Sequence, residues 1–161
     1  MMLVTLDQVR AQCRANDDED DQITLYANAA EAAAIAFLNR NVYTDADALK
    51  AAIDGVPEAM ATANAAKQAA YDAARGLEDA TACCIACEAA DYAYGLAVEN
   101  ARRTYAGMVV NDYIRAAVLL IAGHLYRNRE EVVIGTSAVG AVQLPVGAYT
   151  LLWPYRVGLG V

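Results

Sequence analysis

Through most of this chain, apolar residues return at three- and four-residue steps, the period of a helix buried on one face. The first such stretch opens on Thr5-Leu-Asp-Gln8. A threonine there can accept from the backbone three residues on while the glutamine reaches back, a capping box. A short helix to about Arg14 follows, with Leu6, Val9 and Cys13 on one face. The segment ANDDEDDQITLYANAAEAAAIAFLNRN then starts a second helix, capped by Asn16 or Asp17 and carrying acids where the helix dipole favours them. Its acids lack the central glycine and closing glutamate of a calcium loop. Ile23, Tyr26, Ala30, Ala34, Phe37 and Leu38 set its apolar stripe, which predicts helix to about Arg40.

The pattern then changes register. Thr44 or Asp45 can cap a short helix from Ala46 to Asp54, with Gly55 ending it and Pro57 placed to start the next. From 58 to about 106 alanine dominates, and Gly76 and Gly95 punctuate two or three helices, read as an antiparallel hairpin, with a single long interrupted helix as the alternative. Tyr71, Leu77, Ile85, Tyr92, Leu96 and Val98 are its sizeable apolar side chains, and the packing is expected to rest on them.

The segment MVVNDYIRAAVLLIAGHLYRNREE carries the broadest apolar stripe, from Met108, Val109, Tyr113 and Ile114 through Leu120, Ile121, His124 and Leu125. A helix apolar nearly all round is buried on several sides. It is therefore expected to be the central helix, at about 108–129, with His124 a packed core residue. VVIGTSAVGAVQ reads as a short hairpin or strand, because valine and isoleucine favour extended chain and Gly135 and Gly140 interrupt it. A last short helix is expected over Leu144–Trp153, started by Pro145 and closed before Pro154. Leu151, Leu152 and Trp153 would lie on the central helix, and the rest would form an extended tail.

Composition sharpens this all-α picture. The 161 residues suit one domain. Alanine favours helix but buries little area, so the core is expected to be thin, with close helix contacts. The formal net charge of −8 argues against a sequence reader of DNA, which needs a basic footprint. On charge alone the acidity reads first as what keeps an alanine-rich chain soluble; an acidic wall also suits a channel through which DNA slides, because it repels the phosphate backbone. The opening MMLVTLDQVR lacks the basic and long apolar regions of a signal peptide, and no apolar run approaches a membrane span. A protein made in the cytoplasm is expected.

No pattern of reaction chemistry is present. His124 is the lone histidine, and Gly-x-Ser-x-Gly, His-Glu-x-x-His and Gly-Lys-Ser/Thr are all absent. The acids sit at helix starts, where capping explains them, so no enzyme and no cofactor are expected. Cys83, Cys84 and Cys87 fall within about one helical turn, but zinc needs four ligands, usually from separated pairs. These cysteines read as small fillers between close helices, and a metal or redox protein is the rival reading.

The order of TLDQVRAQCR, DDEDDQITLYANAAEAAAIAFLNR, DYIRAAVLLIAGHLYRNRE and LPVGAYTLLWPYR resembles the head–tail connector family of long-tailed double-stranded DNA phages and prophages. The likeness covers roughly residues 3 to 43 and 108 to 156. Its most specific parts are AAVLLIAGHLYRNRE and the closing Leu-Pro-x-Gly with Leu-Leu-x-Pro-Tyr-Arg. The resemblance implies a small helical subunit of a ring beneath the portal protein, expected to match its twelve-fold symmetry. Such a ring extends the DNA channel, without sequence-specific binding, and offers a surface to the tail or to a stopper protein. Localisation would be the head–tail interface of the virion, and no membrane is involved. The alanine-rich segment 55–106 departs from the family pattern and reads as a helical insertion in a single connector domain.

Within that frame Trp153, Pro154, Tyr155, Arg156, Val157, Leu159 and Val161 are candidate partner-docking residues, the tail reaching out to clasp the portal protein. Arg127, Arg129, Glu130, Ile134, Thr136 and Ser137 are candidates for neighbour or channel contacts. The rival readings are a helical interaction or regulatory bundle unrelated to virions, and a stopper or tail-completion protein one step below the adaptor.

Overall fold

A computed structural model gives the fold and describes residues 3–16, 19–128 and 145–158. The element order is α1 (Leu6–Cys13), α2 (Asp20–Leu38), β1 (Val42–Tyr43), α3 (Ala46–Arg75), α4 (Ala80–Tyr105), β2 (Met108–Val109), α5 (Asp112–Arg127) and α6 (Val146–Leu152), followed by a 3-10 turn, Trp153–Tyr155. The protein is all-α, and among the described residues strand is confined to two residues on each side of one parallel pairing. The chain divides into two compact units, Met1–Asp45 with Met108–Val161, and Ala46–Gly107.

In the first unit α5 is central, packed by α1, α2 and α6. Ile114, Ala117, Val118, Ile121 and Ala122 are buried along it. They meet Val9 of α1, Ile23, Ala27, Ala30, Ala34 and Leu38 of α2, and Ala148 and Leu152 of α6. Gly123 is buried where a side chain would press on Gln12, whose Cγ lies 3.4 Å from the position of an added Cβ, so α1 approaches closely there. The capping box at Thr5 and Gln8 forms as expected, with both hydrogen bonds made. Arg14 and Asn39 take left-handed backbone as the C-caps of α1 and α2.

One buried acid ties the first residues to this core. Glu31, 5 % exposed, accepts hydrogen bonds from the backbone amides of Leu3 and Val4. Leaving those amides and that carboxylate unpaired in the interior would be costly, so the contact fixes where the chain enters the bundle.

The N-cap of α2 is Glu19, with no side-chain hydrogen bond, in place of the expected Asn16 or Asp17, and three other boundaries differ from the expected ones. The central helix starts at Asp112, because Met108 and Val109 are extended and pair with Val42 and Tyr43. The Val110 amide donates to the Tyr43 carbonyl at 2.8 Å, and Asn111 caps the helix through the Ile114 amide at 3.0 Å. Two β-branched residues before an Asn-Asp pair favour strand followed by N-cap over continuous helix. Second, no helix ends at Gly55. α3 runs through Gly55 and Pro57, and Gly55 does not take the left-handed conformation of a helix terminator. Third, the alanine-rich segment, bounded at residue 55 from the sequence, lies within a compact unit that begins at Ala46 and ends at Gly107.

α3 continues because its packing pattern does. Leu49, Ile53, Val56, Met60, Ala63, Lys67, Ala70 and Ala74 are all buried or half-buried, at alternating steps of four and three. On α4 the same spacing marks Cys83, Cys87, Ala90, Tyr94, Ala97, Ala101 and Thr104. The two helices pack on each other as a heptad hairpin with mostly small residues in the seam. One seam on both sides of Pro57 outweighs the lost backbone hydrogen bond, which costs roughly 3 kcal/mol. The antiparallel hairpin was expected, but its expected anchors were not the seam. Leu77, Ile85, Tyr92 and Leu96 are 47 %, 61 %, 71 % and 54 % exposed.

Candidate docking surface

The C-terminal segment is laid over α2 and α5. Along α6, Ala148, Leu151, Leu152 and Tyr155 recur at helical spacing and turn inward, with Leu152 fully buried. Trp153 falls off that stripe. It was expected to pack on the central helix, but it is 65 % exposed. Its ring lies 6.2 Å from Phe37, whose other neighbour is Tyr149 at 4.8 Å.

Beyond Trp153 the chain is strapped down. Pro154 occupies the first turn of the 3-10 segment, where a missing amide has no intrahelical acceptor to leave unpaired. The Arg156 amide donates to the Trp153 carbonyl at 3.2 Å, and the Val157 amide to the Leu38 carbonyl at 3.0 Å. Arg40 donates to the Tyr155 carbonyl at 3.5 Å, and the Tyr155 ring lies 6.1 Å from Tyr113. The expectation that the tail is free from Tyr155 onward is thus corrected through Val157. A strand-like clasp starting at Tyr155 would first have to break these contacts.

A compact aromatic and cationic patch remains. The Arg156 guanidinium sits 4.9 Å from the Phe37 ring centre and 5.9 Å from that of Trp153, within the range of cation–π attraction. Among the described residues Arg156 has no carboxylate partner. An exposed tryptophan beside a stacked arginine is the side-chain pairing enriched at the centres of protein interfaces. Pro154 is exposed next to it, and Val157 is half-buried. Phe37, on α2, was read as core; its place in the patch follows from α6 crossing α2, which periodicity within either helix does not reveal.

The other candidates are less concentrated. Arg127 is exposed at the end of α5, and Leu159, Val161, Arg129, Glu130, Ile134, Thr136 and Ser137 lie outside the described residues, as does the expected hairpin at VVIGTSAVGAVQ. Near the end of α5, His124 is half-buried and its Nδ1 lies 3.2 Å from Asn128 Nδ2. The Tyr126 hydroxyl donates to Glu19 at 2.6 Å.

The hairpin holds a compact polar cluster. Lys67 Nζ is 2.6 Å from Asp91, and the Tyr71 hydroxyl donates to the same carboxylate at 2.7 Å. The ammonium also lies 5.3 Å from the Tyr71 ring centre and 5.0 Å from that of Tyr94. The hydrogen bond from Lys67, then that from Tyr71, holds the Asp91 carboxyl below its ordinary range. The hydrogen bond to Asp91 raises both Lys67 and Tyr71. Such values favour fixed charges over proton exchange near neutrality. The adjoining groove, about 240 Å³, is lined by Ala63, Ala66, Ala70, Ala90 and Ala93 with Lys67 and Tyr94. Methyl groups around one committed cation supply no nucleophile or base. The cluster instead fits a register device, since a polar seam residue that finds its partner only in one alignment disfavours slippage.

Cys83 and Cys87 are half-buried in the seam and Cys84 is exposed. Burial, followed by the neighbouring Cys83, pushes the Cys87 thiol up, away from the reactive thiolate. Among the described residues no group of three or more histidine, cysteine or acidic side chains is placed to hold a metal ion. Nor is any described helix long and apolar enough to cross a membrane.

Compared with known proteins, the chain matches no protein-family model, no curated protein and no solved structure.

Proposed function

We propose that the chain is a virion structural adaptor. Its subunits form a ring beneath the portal protein, extend the DNA channel and present a surface to the tail or to a stopper protein. One observation carries this reading. The two stretches that resemble head–tail connectors, roughly 3 to 43 and 108 to 156, are far apart in sequence, yet they build one compact unit, Met1–Asp45 with Met108–Val161. The intervening chain, which departs from that family's pattern, forms a unit of its own. A chance likeness would not be expected to divide the chain at the boundary where its packing divides.

In this reading the portal protein docks on Trp153, Pro154 and Arg156, with an acidic group facing the guanidinium. The net charge of −8 keeps DNA moving through the channel without being held. Electron microscopy of particles produced without this gene is the test. DNA-filled or leaking heads beside separate, complete tails are expected. Normally joined virions would rule the adaptor out and leave a helical interaction bundle unconnected with virions.

A further inference from the structure

The outer face of α4 carries a second heptad stripe that no described residue covers. Ile85, Ala89, Tyr92 and Leu96 are spaced by four, three and four, on the side of the helix turned away from the α3 seam. Ile85, Tyr92 and Leu96 are 61 %, 71 % and 54 % exposed. Three large apolar side chains in one line on an otherwise alanine-rich hairpin are more than scattered surface residues, and they leave room for a helix to lie along them.

The stripe is complementary to itself when reversed. In an antiparallel register that sets Ile85 of one copy against Leu96 of another, Ala89 falls opposite Tyr92, so the largest side chain meets the smallest. The same register brings Glu78, in the bend before the N-terminus of α4, near Arg103 in its last turn, which would exchange its contact with Glu99 of the same helix, at 3.4 Å, for one across the pair. It also sets each helix N-terminus beside the other's C-terminus, where the dipoles attract. In a parallel pairing, by contrast, Tyr92 would face Tyr92, and like charges would meet at both ends. We propose that two copies of this chain pair through α4 as an antiparallel, two-fold symmetric coiled coil, with Glu78 and Arg103 setting direction and register. The contact is isologous, each copy using the same patch, so it closes at a dimer. It therefore differs in kind from the head-to-tail contacts of a ring and stands whether or not the chain is an adaptor.

Sedimentation equilibrium of the full chain tests this, with circular dichroism to follow folding. The unaltered chain should sediment as a dimer. Leu96→Asp should weaken dimerisation at least ~100-fold, because a buried stripe would receive two unpaired carboxylates, while helical content stays unchanged. Glu78→Arg alone and Arg103→Glu alone should each weaken it, and the two together should restore it, since both ends then pair again with signs exchanged. An unaltered chain that stays monomeric, or a dimer indifferent to Leu96→Asp, would overturn the pairing. Failure of the double exchange to rescue would overturn the antiparallel register.

Discussion

The two units of this chain use alanine in opposite ways. In the first, alanines on α2 and α5 bring backbones together so that Ile23, Leu38, Ile114, Ile121 and Leu152 can be buried fully between them. In the second, small residues, alanine foremost, fill much of the seam itself. The buried residues of the hairpin are Val56, Ala74, Ala90 and Thr104, while Leu77, Ile85, Tyr92 and Leu96 face outward. The first unit therefore owes its stability to area removed from water. The second owes more to helix propensity, close backbone approach and one polar cluster. The hairpin should be the less stable unit and the more dependent on whatever binds its outer face.

Truncating the core should break that comparison open most widely. Ile121→Ala removes a fully buried side chain at the centre of the first unit and should cost about 3 kcal/mol, read as a lower urea midpoint. The matching Ile85→Ala in the hairpin should leave the midpoint of a monomeric sample nearly unchanged. Glu31→Ala should cost about 2 kcal/mol, since the Leu3 and Val4 amides lose a buried acceptor. Hydrogen exchange should then rise first at those two amides; unchanged protection there would remove the assigned role.

In the hairpin the sharper probe is acid. The Asp91 carboxyl is held below its ordinary range by Lys67 and then Tyr71. Its contribution is complete above the carboxylate range of the unfolded chain and is lost as pH falls through the lowered folded value. Amide protection in α3 and α4 should therefore decline on the acid side, and Asp91→Asn should flatten that part of the profile. Lys67 is raised instead, by Asp91 first, so its contribution is complete below the ordinary lysine range and fades only as pH climbs through the raised value. An acid limb unaffected by Asp91→Asn would show that the cluster does not hold the hairpin.

Much of the first unit was legible because its signals are local. The capping box at Thr5, the stripe from Ile23 to Leu38 and the apolar breadth of α5 each lie within one helix. What escaped lies between helices. Trp153 and Leu152 are adjacent and both apolar, and only the position of α6 decides that one is buried and the other exposed. Phe37 belongs to the patch because Arg156 comes down on it from the far end of the chain. The hairpin seam was hidden differently. Its heptad is regular, but it mixes many small residues and one lysine with a few larger side chains, so the eye follows Ile85, Tyr92 and Leu96, which form the opposite face. A lysine at Lys67 and an acid at Glu31, each inside an apolar stripe, were the available signs of the seam cluster and of the buried contact to the first residues.

The smallest predicted effect bears most directly on how the hairpin is built. A glycine followed by a proline two residues later ordinarily marks the end of one helix and the start of another. If the chain broke there, Gly55 would hold left-handed backbone, and Gly55→Ala would be destabilising. Here α3 passes through, and a Cβ at Gly55 would meet nothing within 4 Å. Gly55→Ala should therefore raise hairpin stability by roughly 0.5–1 kcal/mol, through the reduced freedom of the unfolded chain and better helix propensity. The gain should appear as slower hydrogen exchange on both sides of Pro57 and leave the first unit's core unchanged. A loss in its place would mean that the helix is interrupted at Gly55. The seam residues before Pro57, Leu49 and Ile53, would then no longer share one register with Met60 and Ala63 beyond it. The sign of this one substitution thus decides whether a continuous heptad or the local proline signal governs the longest helix of the chain.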